Sequence, residues 1–272
     1  MTPTRIAKLF ERLHGENRSA LIAYVTAGDP TPDHTAQIVA ALERGGADLI
    51  ELGVPFSDPV GDGPVIQRGA ERALQAGTSV KRVLEIAREI RATSEVPLLL
   101  FSYLNPLIRY GFGKLAADAK AAGIDGCLLI DLSVEEAEPF LAPMRACELD
   151  TVFLAAPTSP PERLAQVAEY SSGFIYLVSR TGVTGEQDTL SASAASLVAA
   201  VRKLSTLPLA LGFGISTAQQ AEQVAAFADG VVVGSAFVRI VEKYGTGDGL
   251  LPALESFARD LKQGCERGRH GK

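Results

Sequence analysis

Short apolar runs recur along this chain, and the segments between them space their apolar residues as amphipathic helices do. The runs cover 20–26, 48–52, 97–101, 126–130, 151–154, 174–178, 208–211 and 230–233. Most are continuous rather than alternating, as strands buried on both faces require, and such strands belong to parallel sheets covered by helices. The helical patterns include 35–44, 80–92, 114–121, 135–145, 162–169, 192–203 and 218–226. Eight strand–helix repeats predict a (β/α)8 barrel of the TIM type. Alternation alone leaves a doubly wound open sheet as the competitor. The length of 272 residues suits one barrel, whose ordinary size is ~250 residues. An extra N-terminal helix pattern at 5–13 is expected to cap the barrel bottom. No Pro- or Ser-rich linker interrupts the pattern, so 1–272 reads as a single domain. The polar, basic stretch 262–272 reads as a flexible tail.

Composition narrows the function. The net charge is −6 and no basic stripe is present, which argues against a nucleic-acid partner. No apolar stretch reaches the ~18–20 residues of a membrane span. Cys127, Cys147 and Cys265 form no CxxC pair, which suits a reducing cytoplasm and argues against a structural zinc site. The first fifteen residues mix charges with apolar side chains and do not read as an export signal. The expected location is cytoplasmic.

In a barrel enzyme the chemistry stands at the carboxyl ends of the strands. Along 48–52, alternation puts Leu49 and Glu51 on one face and Ile50 and Leu52 on the other. Glu51 is therefore a carboxylate inside or beside a core. Unpaired, it would have a raised pKa and be able to act as acid and base; paired with an arginine, it would be structural. The loop that follows, GVPFSDPVGDGP, carries Asp58 and Asp62 among glycines and prolines. It is either a stiff positioning device or a plain polar connection. Three later strand ends carry glycines, at Gly182 and Gly185, at Gly212 and Gly214, and at Gly234-Ser235. Glycine lets backbone N–H groups approach an anion, and a short helix beginning at Ser235 would add its dipole. Loops after the seventh and eighth strands commonly hold phosphate in this fold; ordinary turn chemistry is the alternative. No lysine stands at the end of a predicted strand, which argues against a Schiff-base aldolase. His14, His34 and His270 supply neither a metal set nor a catalytic triad.

Taken together, the motifs are similar to those of one family. ELGVPFSDPVGDGPVIQ (51–67) closely resembles the signature of the tryptophan synthase alpha chain. Thr26-Ala27-Gly28-Asp29-Pro30, Tyr103-Leu104-Asn105-Pro106, YLVSRTGVTG (176–185), Gly212-Phe213-Gly214-Ile215-Ser216 and Val233-Gly234-Ser235-Ala236 resemble it in order over nearly the whole chain. The resemblance implies retro-aldol cleavage of indole-3-glycerol phosphate to indole and glyceraldehyde 3-phosphate, in tryptophan biosynthesis. It implies Glu51 as main acid–base catalyst and Asp62 as second carboxylate. Thr184, Gly185, Gly214, Gly234 and Ser235 would hold the phosphate, and Tyr176 would lie near Glu51. Tyr24, Phe101, Leu128, Ile130 and Phe213 would form the slot for the indole ring. No cofactor or metal is expected in this chain. Pyridoxal phosphate would belong to a partner beta chain, in an alpha2-beta2 tetramer, with 55–60 and 179–185 as the coupling loops. The alternatives are a stand-alone indole-releasing lyase, another phosphate-binding barrel of the same pathway, and a non-catalytic activator of a beta chain.

Two positions depart from the family pattern. The stretch Leu129-Ile130-Asp131-Leu132-Ser133 lacks prolines around its aspartate, and Gly61 stands where alanine is more usual. The first is expected to alter the loop facing the partner, and the second to loosen the loop carrying Asp62.

Overall fold

The computed structural model describes residues 3–178, 187–212 and 214–270, of which 187–193 and 270 are described by backbone alone. Nine parallel strands form one sheet: β1 (Ala20–Thr26), β2 (Leu49–Gly53), β3 (Leu98–Ser102), β4 (Gly126–Leu129), β5 (Asp150–Val152), β6 (Leu154–Ala155), β7 (Ile175–Val178), β8 (Leu209–Gly212) and β9 (Gly230–Val233). The spatial order is β5-β4-β3-β2-β1-β9-β8-β7-β6. The two ends of that order, β5 and β6, are separated in the chain by Phe153 alone. The sheet therefore closes into a barrel of eight positions, with helices outside, and the open-sheet alternative falls away.

The fifth apolar run, expected as one strand over 151–154, is thus divided. Its first part pairs with β4 and its second with β7. Phe153 sits between them with its ring against Tyr170 on the outside, while its carbonyl accepts the Tyr176 N–H at 3.1 Å. The remaining strands lie within a residue or so of their expected ends.

Alternation along each strand builds two cores. Outward residues such as Leu21, Ile50, Leu100, Leu177 and Val231 pack under the helices. Inward residues Ile22, Leu49, Leu99, Leu128, Val152, Phe174, Tyr176 and Val232 fill the lumen. The lumen core continues downward into the N-terminal helix Arg5–Gly15, whose Ile6, Leu9, Phe10 and Leu13 recur at the i, i+3, i+4, i+7 spacing of one helix face. Thr4 caps this helix, accepting from the Ala7 N–H at 3.1 Å, and donates to Asp150. Arg5 reaches Glu95 and Asp125. The bottom of the barrel is plugged, as expected.

The stretch 262–270 is not a flexible tail. It forms the end of a 21-residue helix, Leu250–His270. Lys262 is buried and its ammonium donates to Asp48 at 2.5 Å and to the Ser19 carbonyl. Cys265 is fully buried, and Arg269 bonds Ser19, Ala228 and Asp229. Lys262 and Arg269 thus reach acids at the barrel bottom, and Arg267 pairs with Glu222 of a neighbouring helix. Helices Pro64–Gln75 and Leu104–Tyr110 also stand where no helix was expected. Both follow strand-end loops and begin at or near a proline. No described helix is long and apolar enough to cross a membrane.

Candidate active site

Glu51 is the third residue of β2 and sits across from Tyr24 of β1 and Leu99 of β3. It belongs to the inward set, so its side chain enters the upper lumen, where the residue is 1% exposed. One carboxyl oxygen has no hydrogen-bond partner, and among the described residues Glu51 makes no ion pair. No described arginine pairs with it. Burial pushes its carboxyl up to about 8, because charge is costly without water or a counter-ion. At neutral pH the group is mainly a neutral acid.

Asp62 lies on the loop between β2 and helix Pro64–Gln75. The loop is tied by its own bonds: Val60 N–H to the Asp58 backbone carbonyl, Asp62 N–H to the Pro59 carbonyl, and the Gln67 amide to the Asp62 carbonyl at 2.8 Å. Burial pushes the Asp62 carboxyl up to about 6, and donation from the Tyr103 hydroxyl holds it below where burial alone would put it. The two carboxyl groups therefore differ in protonation at pH 7, with Asp62 ionised and Glu51 neutral. Two carboxyl groups separated in this way are suited to different roles.

Around them stands an aromatic and apolar wall. The Tyr24 ring meets Phe101 edge-on, with centroids 5.2 Å apart. Leu128 is fully buried in the lumen core, and Phe101 and Ile130 pack on that core from its open side. The Tyr24 and Tyr176 phenols are both raised by burial and by the charges of Asp62 and Glu51, so both hydroxyls stay protonated near the carboxyl groups. Two glycines make room for these rings. A Cβ on Gly53 would fall 2.4 Å from the Tyr24 oxygen, and one on Gly212 would fall 2.3 Å from the Tyr176 oxygen.

On the other side of the mouth, Gly214 takes a φ of +76°, which favours glycine. Gly234 is the N-cap residue of helix Ser235–Tyr244, which begins directly after β9. A ten-residue helix opening at a strand end offers aligned N–H groups to an anion. Helix Pro64–Gln75 is strapped to this helix and to the β1 loop: Arg72 forks onto buried Asp29 with two 2.8 Å bonds, while Arg68 and Arg72 share Glu242. Helix Pro64–Gln75, which follows the acid-bearing loop, and the helix after β9 are thus fixed in one frame.

The model of the family described as the tryptophan synthase alpha chain matches residues 10–266. The chain belongs to that family. It is 64% identical over 261 residues to the tryptophan synthase alpha chain of Solibacter usitatus, spanning 96% of this chain and 98% of that protein. It is 49% identical to that of Geotalea uraniireducens, over 97% and 98%. Among solved structures it superimposes on the alpha subunit of Legionella pneumophila tryptophan synthase with a TM-score of 0.90 at 37% identity, over 97% and 99% of the two chains. A chain of Mycobacterium tuberculosis tryptophan synthase gives 0.88 at 38%, over 97% and 98%.

Of the site residues expected for this alpha-chain family, the structure brings Glu51, Tyr24, Phe101, Leu128, Ile130 and Tyr176 to one upper lumen and sets Asp62 within electrostatic reach of the two tyrosines. Gly214, Gly234 and Ser235 stand at the ends of β8 and β9. Thr184, Gly185 and Phe213 lie outside the described residues. Tyr103 had been quoted only as part of a motif. Its hydroxyl accepts the Gly61 N–H at 3.0 Å and donates to Asp62. A tyrosine directly after a strand run was the available signal. Gly61 does not loosen its loop either: its N–H is held and its surroundings are close on two sides. Asp131, in the departing stretch, accepts the Leu104 N–H at 2.7 Å and so caps the helix after β3.

Proposed function

We propose that Glu51 and Asp62 are the two carboxyl groups that carry this family's reaction in this chain. As a member of the tryptophan synthase alpha chain family, the protein is a carbon–carbon lyase of tryptophan biosynthesis that cleaves indole-3-glycerol phosphate. It needs no cofactor of its own; the pyridoxal phosphate of tryptophan synthase resides in the beta chain with which the family pairs. The observation that carries the assignment is the buried Glu51, without an ion pair among the described residues and neutral at pH 7 beside an ionised Asp62.

The reaction needs indole C3 to become a leaving carbon. The neutral Glu51 carboxyl protonates C3, and the ring becomes an iminium-like electron sink. The Glu51 carboxylate then takes the proton of the hydroxyl on the carbon attached to C3. That C–C bond breaks, its electron pair moves into the ring, and an aldehyde and indole result. Glu51 ends protonated, as it began. Asp62, as the anion, accepts the indole N–H and stabilises the positive charge that builds on the ring. The backbone at Gly214 and Gly234-Ser235 holds the phosphate, with Thr184 and Gly185 beside it. The wall of Tyr24, Phe101, Leu128, Ile130 and Phe213 takes the ring. Anchoring the phosphate away from the carboxyl groups lets remote binding energy orient the reacting end.

The whole chain works as one domain, in the cytoplasm, as one of the two alpha chains of an alpha2-beta2 tetramer. Support for the docking face is the exposed loop 55–60, where Val60 is 87% exposed, beside a groove of about 440 Å³ running from Phe56 to Tyr110. The test is release of glyceraldehyde 3-phosphate from indole-3-glycerol phosphate by the purified chain, with and without its beta chain. Slow release that rises strongly with the beta chain is the expected result. Fast release indifferent to the beta chain would make the chain a stand-alone lyase, and turnover retained in Glu51→Gln would sink the residue assignment.

A further inference from the structure

The two departures from the family pattern, at Gly61 and at Ile130, meet in space. A Cβ built on Gly61 would fall 3.1 Å from Ile130 Cδ1 on one side and 3.2 Å from the Tyr103 hydroxyl on the other. Both neighbours sit on backbone that is held in place. The Ile130 N–H is bonded to the Ser102 carbonyl at 3.0 Å, and Asp131 holds the Leu104 N–H. The backbone bearing Ile130 is therefore fixed to the segment bearing Tyr103. Branching at Cβ restricts the Ile130 χ1, so its Cδ1 gives way by turning about χ2 alone. Tyr103 is 3% exposed, its ring packs against Phe56 at 5.3 Å between centroids, and its hydroxyl is engaged on both sides by the Gly61 N–H and the Asp62 carboxylate.

We propose that Gly61 and Ile130 are a matched pair that sets the position of Asp62, with the Tyr103 hydroxyl as the pin between them. The side chain at 130 crowds the space that an alanine side chain at 61 would use by a few tenths of an ångström, so glycine at 61 is what suits Ile130. The pair acts through Asp62 and is a positioning device. The inference rests on the reading of Asp62 as the second catalytic carboxylate. Adding a methyl at 61 pushes the backbone away from Ile130, stretches the Gly61–Tyr103 bond and carries Asp62 with it. Displacements well under an ångström suffice to matter, since about 1 Å of misplacement can cost on the order of 100-fold in rate.

The experiment is a double-mutant cycle on the full chain with its beta chain, using Gly61→Ala, Ile130→Ala and both together. Gly61→Ala is expected to lower kcat by about 10-fold while changing KM by less than about 3-fold. Adding Ile130→Ala to it should return about 5-fold or more of that loss, so that the double variant is faster than the product of the single effects. The acid limb of the pH–rate profile supplies a second readout. In Gly61→Ala it should move to higher pH, because Asp62 loses a donor to its charged form, and it should return in the double variant. Full activity in Gly61→Ala, or effects that simply multiply, would overturn the pairing. Asp62→Asn separates the two levels of the argument. If that variant is severely impaired and the cycle shows no coupling, only the pairing fails; if it runs at full rate, the reading of Asp62 fails and the pairing with it.

Discussion

Glu51 shows how a residue can be costly to the fold and useful to the reaction for the same reason. Its carboxyl is raised to about 8 by burial and Asp62 to about 6. The reaction as proposed needs the first protonated and the second ionised. The kcat/KM of the free enzyme should therefore be bell-shaped, rising through about 6 as Asp62 ionises and falling through about 8 as Glu51 loses its proton. Initial rates across pH 5 to 10 in constant ionic strength would check both limbs. Asp62→Asn should lose the acid limb together with most of the rate, about 100-fold or more, while Asp58→Asn, on the exposed rim, should change mainly the response to the beta chain. That a carboxylate would be buried was legible from alternation along β2. That no described cation would pair with it was not, because pairing depends on which distant side chains enter the lumen. The part played by Tyr103 was hidden for the same reason: the hydroxyl reaches Asp62 across 41 positions of sequence, and only the barrel's curvature joins them.

Among the elements, the ends of the chain behave least as their composition suggests. The basic stretch after 262 reads as a solvated tail, yet it closes the bottom of the barrel. Aspartates at strand starts explain why. Asp48, Asp125 and Asp229 each accept an N–H at the start of a neighbouring strand, from Leu21, Leu98 and Leu209, and each meets a cation from a helix, namely Lys262, Arg91 and Arg269. A buried carboxylate with a backbone donor still needs a counter-ion, and the last helix supplies two of the three. Lys262→Met should leave Asp48 buried and unpaired and destabilise the fold by about 3 kcal/mol, lowering Tm by roughly 6–12 °C. Thermal unfolding of Lys262→Met beside the Asp48→Asn/Lys262→Met double variant would check this, with partial recovery expected in the double. Strand positions were readable because continuous apolar runs leave few choices. Helix Pro64–Gln75 was not, since only Gly69, Ala70 and Ala73 are buried along it and small residues give a weak periodic signal. It is held as much by Arg68 and Arg72 as by apolar contact.

For the molecule as a whole, the same buried acid links activity to stability. Glu51 has a folded-state pKa above its unfolded value, so the folded protein binds the extra proton. Its cost is absent below about pH 4.5, grows as pH rises toward 8, and is constant above. The stability of Glu51→Gln relative to the parent should therefore improve between pH 5 and pH 9. Urea unfolding at the two pH values tests the sign, and a difference that shrinks as pH rises would contradict the buried, unpaired state of the carboxyl. A second molecular property follows from the N-terminal helix that fills the floor with Ile6, Leu9, Phe10 and Leu13. The lumen is a blind chamber, so substrate and both products share one doorway. Traffic through it is single-file: what enters first, ring end foremost, is the last to have a way out, unless whatever docks over that doorway opens an exit of its own.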